Sequence, residues 1–365
     1  MQTILSILKK HAHSLMKLLP LLAFAVPLLW LYFLDPGSFE LMWKGRTFQL
    51  FFIWLIALEL ILGWETFQTK KIKPVSTRSF AFIITLLLPT IYVIISNYLG
   101  LNTIIADLAR QSGIMWADSM PLSTEYLVFT VLFCLIVLLP FGIKGLTDFS
   151  VPAFFLGIVG ALYTIDNVYP YGQFAPFQFL VPTTATLAAN VLGLMGYTTK
   201  LSMIENPIYG SMPYLSVKHL NSNEWVGFGI AWPCAGIESL LIFTVTILLF
   251  LKRTSLSWKS KITYFAIGAL VTYFINILRI ATIFTIGMEY GELSPQVQLF
   301  HNLYGPLYSI AWIISYPLII LGSHSLWNRI RKEKTGKQDS LGPAPRAQSL
   351  YGKEAENKSA HKRLG

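Results

Sequence analysis

The sequence predicts an all-α polytopic membrane protein with about eight transmembrane helices, an additional interfacial or re-entrant helix and a short external hairpin-like segment. Of its 365 residues, 54% are hydrophobic and only 13% are charged, and the mean hydropathy is +0.56. Apolar runs of about 16 to 25 residues recur, each long enough to cross a hydrocarbon core about 30 Å thick as a helix. Because lipid offers no hydrogen bonds, the backbone of such runs must bond internally, which favours helices.

The charge distribution and the cysteine content argue against nucleic-acid binding, a disulfide framework and a metal site. The net charge of +10 comes from basic residues at the ends of apolar runs and in the C-terminal tail, so it indicates membrane orientation rather than nucleic-acid binding. The two cysteines give no disulfide framework, and no CxxC or Cys/His spacing suggests a metal site or another cofactor. Cys134 lies among Phe, Leu, Ile and Val residues and is predicted to be a small apolar core residue.

The predicted spans alternate with polar or basic connections. Lys9, Lys10 and Lys17 precede the first apolar run, and no small-residue cleavage site follows it, which predicts an uncleaved span with a cytoplasmic N-terminus. The eight predicted spans cover residues 18–34, 48–64, 79–99, 126–141, 151–165, 235–251, 262–287 and 303–321.

The segment 177–197 decides the predicted topology, because it is apolar but contains Pro182 and a series of Thr, Ala and Asn residues. If it crosses the membrane, Cys234 faces the cytoplasm and the basic cluster 252–261 lies outside, against the positive-inside rule. If it lies at the interface or re-enters, every basic cluster is cytoplasmic. We therefore predict a multi-pass cell-membrane protein with both termini inside and Cys234 at the outer face.

Three regions are predicted along the chain: an N-terminal transmembrane extension (1–78), a transmembrane core (79–322) and a basic, disordered cytoplasmic tail (323–365). The tail is polar and has few large apolar residues. Within the core, residues 200–229 form an external segment. Its stretch 209–213 is typical of a turn between two partly alternating stretches, which predicts a β-hairpin.

Cys234 is the first candidate for chemistry, because it lies where a polar segment meets an apolar run. Pro233, Ala235 and Gly236 permit a tight entry into the following helix. A thiol at a helix N-terminus meets unpaired N–H groups and the positive end of the helix dipole, which favour a thiolate. The same N–H groups can bind an oxyanion. Glu238, one turn further on, opposes a thiolate unless it pairs with a cation.

Arg279 occupies the most costly position of any charged residue in the predicted spans. It lies about eight residues, or roughly 12 Å, from the external end of its apolar run at 1.5 Å per residue. A charge near the midplane costs at least about 2.5 kcal/mol on insertion scales, so such a residue faces the bundle interior with a partner. Asn276, one turn earlier on the same face, is predicted to orient the guanidinium. The alternatives are a structural ion pair and an arginine that snorkels to the interface, although Arg279 would have to pass several apolar residues to do so.

His301 opens the last apolar run and is followed by Asn302. On the predicted topology it lies at the outer surface, where a lone histidine is often only an interfacial residue. An imidazole titrates near neutrality and therefore suits a general base or an ion partner for a thiolate. Together with Cys234 and Arg279 near the same leaflet, it completes a sufficient set for acyl transfer.

Three short motifs, in order on successive spans, resemble the exosortase/archaeosortase family. They are Cys-Ala-Gly at 234–236, Asn-Ile-Leu-Arg at 276–279 and Phe-His-Asn at 300–302. The resemblance covers roughly residues 79–321. The family often has Ser where Ala235 stands, and its third catalytic position varies in identity.

The resemblance implies a membrane cysteine peptidase and transpeptidase that acts at the outer face without a cofactor. Its implied partners are exported proteins that carry a C-terminal motif, a hydrophobic span and a basic tail. Cys234 would attack a peptide carbonyl to give a thioester, and a lipid or glycan acceptor would then take the acyl group. Arg279 would stabilise the oxyanion or position the substrate, and His301 would activate the thiol. Asn276, Asn302 and Glu238 would support these residues.

Two other function classes are compatible with the same spans. In a transporter, Arg279 would line a path for an anion, and Cys234 would be dispensable. A membrane protein for polysaccharide export or assembly would usually use external carboxylates with a metal, and no Asp/Glu pair in this sequence has the spacing for one.

Overall fold

The computed structural model describes residues 2–41, 43–64, 77–169, 174, 180–206, 210–220 and 224–340, and it is mostly helical. The described helices are α1 (Gln2–Leu34), α2 (Thr47–Gly63), α3 (Thr77–Tyr98), α4 (Leu101–Gln111), α5 (Met120–Asp148), α6 (Ser150–Val168), α7 (Leu180–Leu194), α8 (Ile237–Lys252), α9 (Trp258–Tyr290), α10 (Pro295–Leu299) and α11 (Gly305–Ser340). The described strands are β1 (Tyr197–Asn206), β2 (Gly210–His219) and β3 (Val226–Gly229).

Six of the described helical stretches are long and apolar enough to cross a membrane, which confirms a polytopic membrane protein. They are Met16–Leu34, Phe80–Tyr98, Ala117–Asp148, Ser150–Val168, Trp258–Tyr290 and Pro295–Trp327. The other two predicted spans correspond to α2, with 17 residues, and α8, with 16 residues. At 1.5 Å per residue they are about 26 and 24 Å long, less than the roughly 30 Å of a hydrocarbon core, so the count of eight stays a prediction.

Helix α7 corresponds to the segment on which the predicted topology depends. It has 15 residues, so at 1.5 Å per residue it is about 22 Å long, less than the roughly 30 Å of a hydrocarbon core. Its buried side chains, among them Val181, Ala185, Ala188 and Leu192, recur every three or four residues on one face. Helix α7 packs beside β1, β2 and α9. Its length is compatible with an interfacial position, which stays a prediction.

Strands β1 to β3 form an antiparallel sheet in the order β1-β2-β3. The predicted hairpin is present, but residues 210–213 of the predicted turn belong to β2, where Met212 pairs with Ile204. Residue 209 lies outside the described residues. Strand β3, which pairs with β2 from Tyr214↔Gly229 to Val217↔Val226, has four residues and no clear alternation. An all-α class is therefore incomplete, because a three-stranded sheet packs beside α7 and α9.

Helical structure extends beyond the predicted spans in two places. Helix α4 lies between the predicted spans 79–99 and 126–141, and Arg110 near its C-terminal end forms ion pairs with Asp107 and Asp118. Helix α11 continues to Ser340, so the predicted disordered tail begins as a helix. Residues 323–335 contain no Gly or Pro, which explains why the helix is not interrupted there. Residues 341–365 lie outside the described part.

The chain divides into two compact units, residues 1–314 and 315–365. In the first unit, one hydrophobic cluster is built from α1, α2, α5, α6 and α8 around Phe24, whose ring packs edge-on against Phe52, Phe129 and Phe133 at 5.3 to 5.8 Å. The helices of residues 1–78 therefore share this core with the later helices. The described part of the second unit is the remainder of α11 and contains Pro317.

A buried charge cluster joins the C-terminal ends of α2 and α8. Glu59 has no exposed side-chain surface and accepts from Lys252 Nζ at 2.6 Å and from the Arg253 guanidinium. Lys252 Nζ also contacts the carbonyl oxygen of Asp148. These contacts satisfy the carboxylate, since an unpaired buried charge would be strongly unfavourable.

We predict that Glu59→Ala lowers the free energy of unfolding by about 3 kcal/mol, because it leaves two cations without their buried partner. The matched control is Asp118→Ala, which removes one of the two carboxylates paired with the exposed Arg110 and should leave the free energy of unfolding nearly unchanged, because solvent screens an exposed ion pair. Reversible unfolding in mixed detergent micelles measures both. Equal stability of the two variants would contradict the prediction.

Candidate active site

A cavity of about 220 Å³ lies between β3, the turn before α8, the middle of α9 and the segment 297–302. Cys234, Arg279 and His301 all line it, together with Asn276 and Asn302. The rest of its wall is largely apolar and consists of Phe228, Gly229, Ile230, Ile280, Ile283, Phe284, Val297 and Gln298. The structure thus brings the three predicted catalytic residues to the wall of one cavity.

Cys234 lies in a 3₁₀ turn, Trp232–Ala235, rather than in the first turn of α8. Its N–H donates to the carbonyl oxygen of Ala231 at 3.0 Å. Gly236 follows with φ +90°, in the left-handed region, and α8 begins only at Ile237. The thiol is therefore held beside the helix entry by a turn that a glycine closes.

The electrostatic setting of the Cys234 thiol differs from the predicted one. Cys234 is half-buried, and burial raises the pKa of its thiol, while the positive charge of Arg279 lowers it and Glu238 raises it further. Burial has the larger effect because a thiolate loses hydration in an apolar wall. The resting thiol is therefore harder to ionise than an exposed cysteine.

Asn276 fixes the cysteine turn to α9. Its side chain is 1% exposed, and its Nδ2 donates to the carbonyl oxygen of Cys234 at 2.9 Å. The prediction that Asn276 orients Arg279 is therefore wrong, because the Asn276 amide donates to the cysteine turn instead. Its Oδ1 has no hydrogen-bond partner within the described part of the chain.

Arg279 is placed by the segment that carries His301. Its Nη2 donates to the carbonyl oxygen of His301 at 2.8 Å. Residues Phe300–Tyr304 form a π-helical turn, closed by the N–H of Gly305 donating to the carbonyl oxygen of Phe300. A Cβ at Gly305 would lie 2.6 Å from Arg279 Nε, so only glycine leaves room for the guanidinium. π-Helical turns often occur at functional sites.

The remaining predicted residues occupy different positions relative to the cavity. His301 is half-buried and Asn302 is exposed, and both line the cavity. Glu238 is half-buried and is not among the lining residues. It lies close enough to interact electrostatically with Arg279, yet it forms no ion pair within 4.0 Å in the described part of the chain. The charge of Arg279 thus acts on Glu238 and on the thiol together.

Several lining residues were not predicted from the sequence. Phe228 of β3 packs edge-on against Phe284 of α9 with ring centroids 5.0 Å apart. The Glu292 carboxylate accepts from the N–H of Gly227 at 2.5 Å and so ties β3 to the end of α9. Strand β3 has only four residues and no alternating pattern. Its place in the cavity wall could therefore not be predicted from the sequence, because it depends on pairing with β2.

The arrangement supplies a nucleophile, a titratable imidazole and a fixed cation in a low-polarity cavity. These are the groups that acyl transfer requires. In the described part of the chain, no group of three His, Cys, Asp or Glu side chains is placed to hold a metal ion.

Comparison with known proteins gives one match. A family model described as transmembrane exosortase matches residues 42–318, about three quarters of the chain, and this region includes the whole cavity. It begins earlier than the resemblance noted from the motifs, because it includes α2. No curated protein and no solved structure matches the chain.

We predict that Gly236→Ala destabilises the cysteine turn. The new Cβ would lie 3.0 Å from Asn276 Cγ and Nδ2. The left-handed backbone conformation by itself costs an alanine about 1–2 kcal/mol of folding free energy. The variant should therefore lose at least that much stability in detergent unfolding. Gly193→Ala is the matched control, because a Cβ there meets nothing within 4 Å, and it should leave stability unchanged or slightly raised. Equal stability of both variants would contradict this.

Proposed function

The chain belongs to the transmembrane exosortase family, and we propose that it is a membrane cysteine transpeptidase that processes the C-terminal sorting signals of exported proteins. The observation that carries the proposal is the single cavity lined by Cys234, Arg279 and His301. A thiol, a guanidinium and an imidazole within one small cavity form the minimal set for peptide cleavage through a thioester.

In the proposed first step, Cys234 Sγ attacks a peptide carbonyl carbon of the substrate. The thiol proton passes to the His301 imidazole, and the carbonyl oxygen becomes an oxyanion. When the tetrahedral intermediate collapses, the C–N bond breaks and the imidazolium returns the proton to the leaving amine. The products of this step are an acyl thioester on Cys234 and the released C-terminal fragment.

The raised pKa of the Cys234 thiol makes this proton transfer necessary. A thiol that is mostly protonated at neutral pH needs a base in the same space, because only the thiolate is a competent nucleophile. His301 lines the cavity, and a neutral imidazole has one ring nitrogen that can accept the thiol proton. We assign it the role of general base and then general acid.

We assign Arg279 the stabilisation of the oxyanion. One Nη2–H bond is used on the His301 carbonyl oxygen, and the guanidinium has five N–H donors in total, so donors remain for a ligand. Donors that are fixed before the reaction stabilise developing charge without reorganisation. The same contact links the position of the cation to that of the proposed base.

The substrates proposed from family membership are exported proteins with a short C-terminal motif, a hydrophobic span and a basic tail. The second step transfers the acyl group from Cys234 to a nucleophile on a lipid or glycan carrier, which restores the thiol. We place the active site at the outer face of the cell membrane and both termini in the cytoplasm. The positive-inside rule supports this orientation.

We expect Cys234→Ala to abolish processing of an exported protein with such a C-terminus, co-produced from the same genome. The loss of rate should be at least about 10³-fold, because the covalent step loses its nucleophile. Mass spectrometry of the membrane fraction measures removal of the C-terminal fragment.

Cys134→Ala is the matched control for this test, since Cys134 lies on α5, away from the cavity, and this variant should process normally. Normal processing by the Cys234 variant would reject the proposal. Anion transport that depends on Arg279 and not on Cys234 would favour a transporter.

We also expect a membrane-impermeant maleimide, applied to intact cells, to label Cys234 and not Cys134. The proposed orientation places the first thiol at the outer face and the second within a span. Single-cysteine variants, analysed by mass spectrometry, separate the two signals. Labelling of Cys234 only after permeabilisation would overturn the orientation, even if the site is catalytic.

A further inference from the structure

The segment Trp43–Arg46, between α1 and α2, is held to α5 and α6 at every one of its four residues. Arg46 donates from Nε and Nη2 to the two carboxylate oxygens of Glu125 at 2.9 and 3.1 Å. The Tyr126 hydroxyl donates to the carbonyl oxygen of Gly45 at 2.9 Å. Glu125 is 2% exposed and Tyr126 is fully buried, so these anchors lie inside the protein.

Asp166 of α6 holds the other half of the segment. Its Oδ2 accepts from the Trp43 indole Nε1 at 3.1 Å and from Lys44 Nζ at 2.9 Å. The Tyr163 hydroxyl lies beside the backbone of Lys44 and Gly45. Lys44 has φ +54°, a left-handed conformation that is uncommon for a residue with a side chain and persists only where neighbours enforce it.

These anchors place the Trp43 indole against the cysteine turn. Its ring lies edge-on to Trp232, with centroids 6.1 Å apart, and edge-on to Tyr163 at 5.1 Å. Trp232 is 1% exposed and begins the 3₁₀ turn that contains Cys234 two residues later. Trp43 also packs against both hydrophobic clusters, the one around α1–α6 and the one around α7 and α9.

The cysteine turn is therefore supported from two directions. Asn276 of α9 holds the carbonyl oxygen of Cys234, and Trp43 contacts the first residue of the turn from the side of α5 and α6. Without Trp43, Trp232 loses the ring that contacts it on that side, and the turn keeps its bond to Asn276 and its packing against α7. A shift of about 1 Å in a reacting group can cost about 10²-fold in rate.

We propose that Trp43, fixed by Asp166, is a positioning residue for the Cys234 nucleophile. It acts through Trp232 and does not touch the substrate. The inference rests on the proposed function only in taking Cys234 as the attacking group. A segment nearly 200 residues earlier in the chain thereby sets the geometry of the thiol.

The test compares Trp43→Ala, Trp43→Phe and a control, Trp54→Ala, in a Cys134→Ser background that leaves one thiol. Trp54 is 46% exposed and stacks on Phe51, so its removal deletes the same side chain away from the turn. Three quantities are measured on full-length protein in membranes or detergent: the melting temperature, kcat and KM for the co-produced substrate, and the rate of Cys234 alkylation by iodoacetamide.

We expect Trp43→Ala to lower kcat by about 10- to 100-fold with little change in KM, and to alter the alkylation rate of Cys234 several-fold. Trp43→Phe keeps a ring against Trp232 and should recover most of kcat, and Trp54→Ala should match the parent. If Trp43→Ala lowers only the melting temperature, with kcat per folded molecule and alkylation unchanged, the proposal is rejected. Alkylation needs no substrate, so it tests positioning even if Cys234 proves not to be the nucleophile.

Discussion

The site depends on the hydrogen bond from Asn276 to the carbonyl oxygen of Cys234. This bond joins the turn before α8 to the middle of α9, and it has room to form because Gly236 has no Cβ to push the amide away. A buried amide that uses its donor on the backbone fixes the turn more firmly than packing alone. Cys234 and the segment 297–302 then line the same cavity.

Arg279 shows how the fold accommodates a charge within a predicted span. The His301 carbonyl oxygen is available to it because the π-helical turn displaces the backbone from regular α-helical bonding. Gly305 leaves the space that the guanidinium occupies. The π-helical turn that carries the His301 imidazole thus also provides the hydrogen-bond partner of Arg279. A displacement of this turn would therefore move the Arg279 guanidinium and the proposed base together.

The sequence was sufficient for the parts of this structure that depend on composition and periodicity. Apolar length predicts the long helices, and chemically unusual residues within or at the ends of the apolar runs indicate Cys234, Arg279 and His301. It was insufficient where distant segments meet. Asn276 bonds to a backbone carbonyl 42 residues away. The short β3 forms only by pairing with β2. Trp43, in the connection between α1 and α2, packs against Trp232. No local pattern encodes these pairings, because their partners become neighbours only after folding.

Burial and charge act in opposite directions on the thiol, and their balance has a chemical consequence. Burial raises the pKa of Cys234, and Arg279 only partly offsets this. A protonated resting thiol is a weak nucleophile and is also less prone to oxidation, since both reactions need the thiolate. In the proposed orientation Cys234 lies at the outer face of the cell membrane, where a thiol meets oxidants more often than in the cytosol. For the proposed reaction, the cavity therefore favours a thiol that ionises only when a proton acceptor and a carbonyl lie beside it.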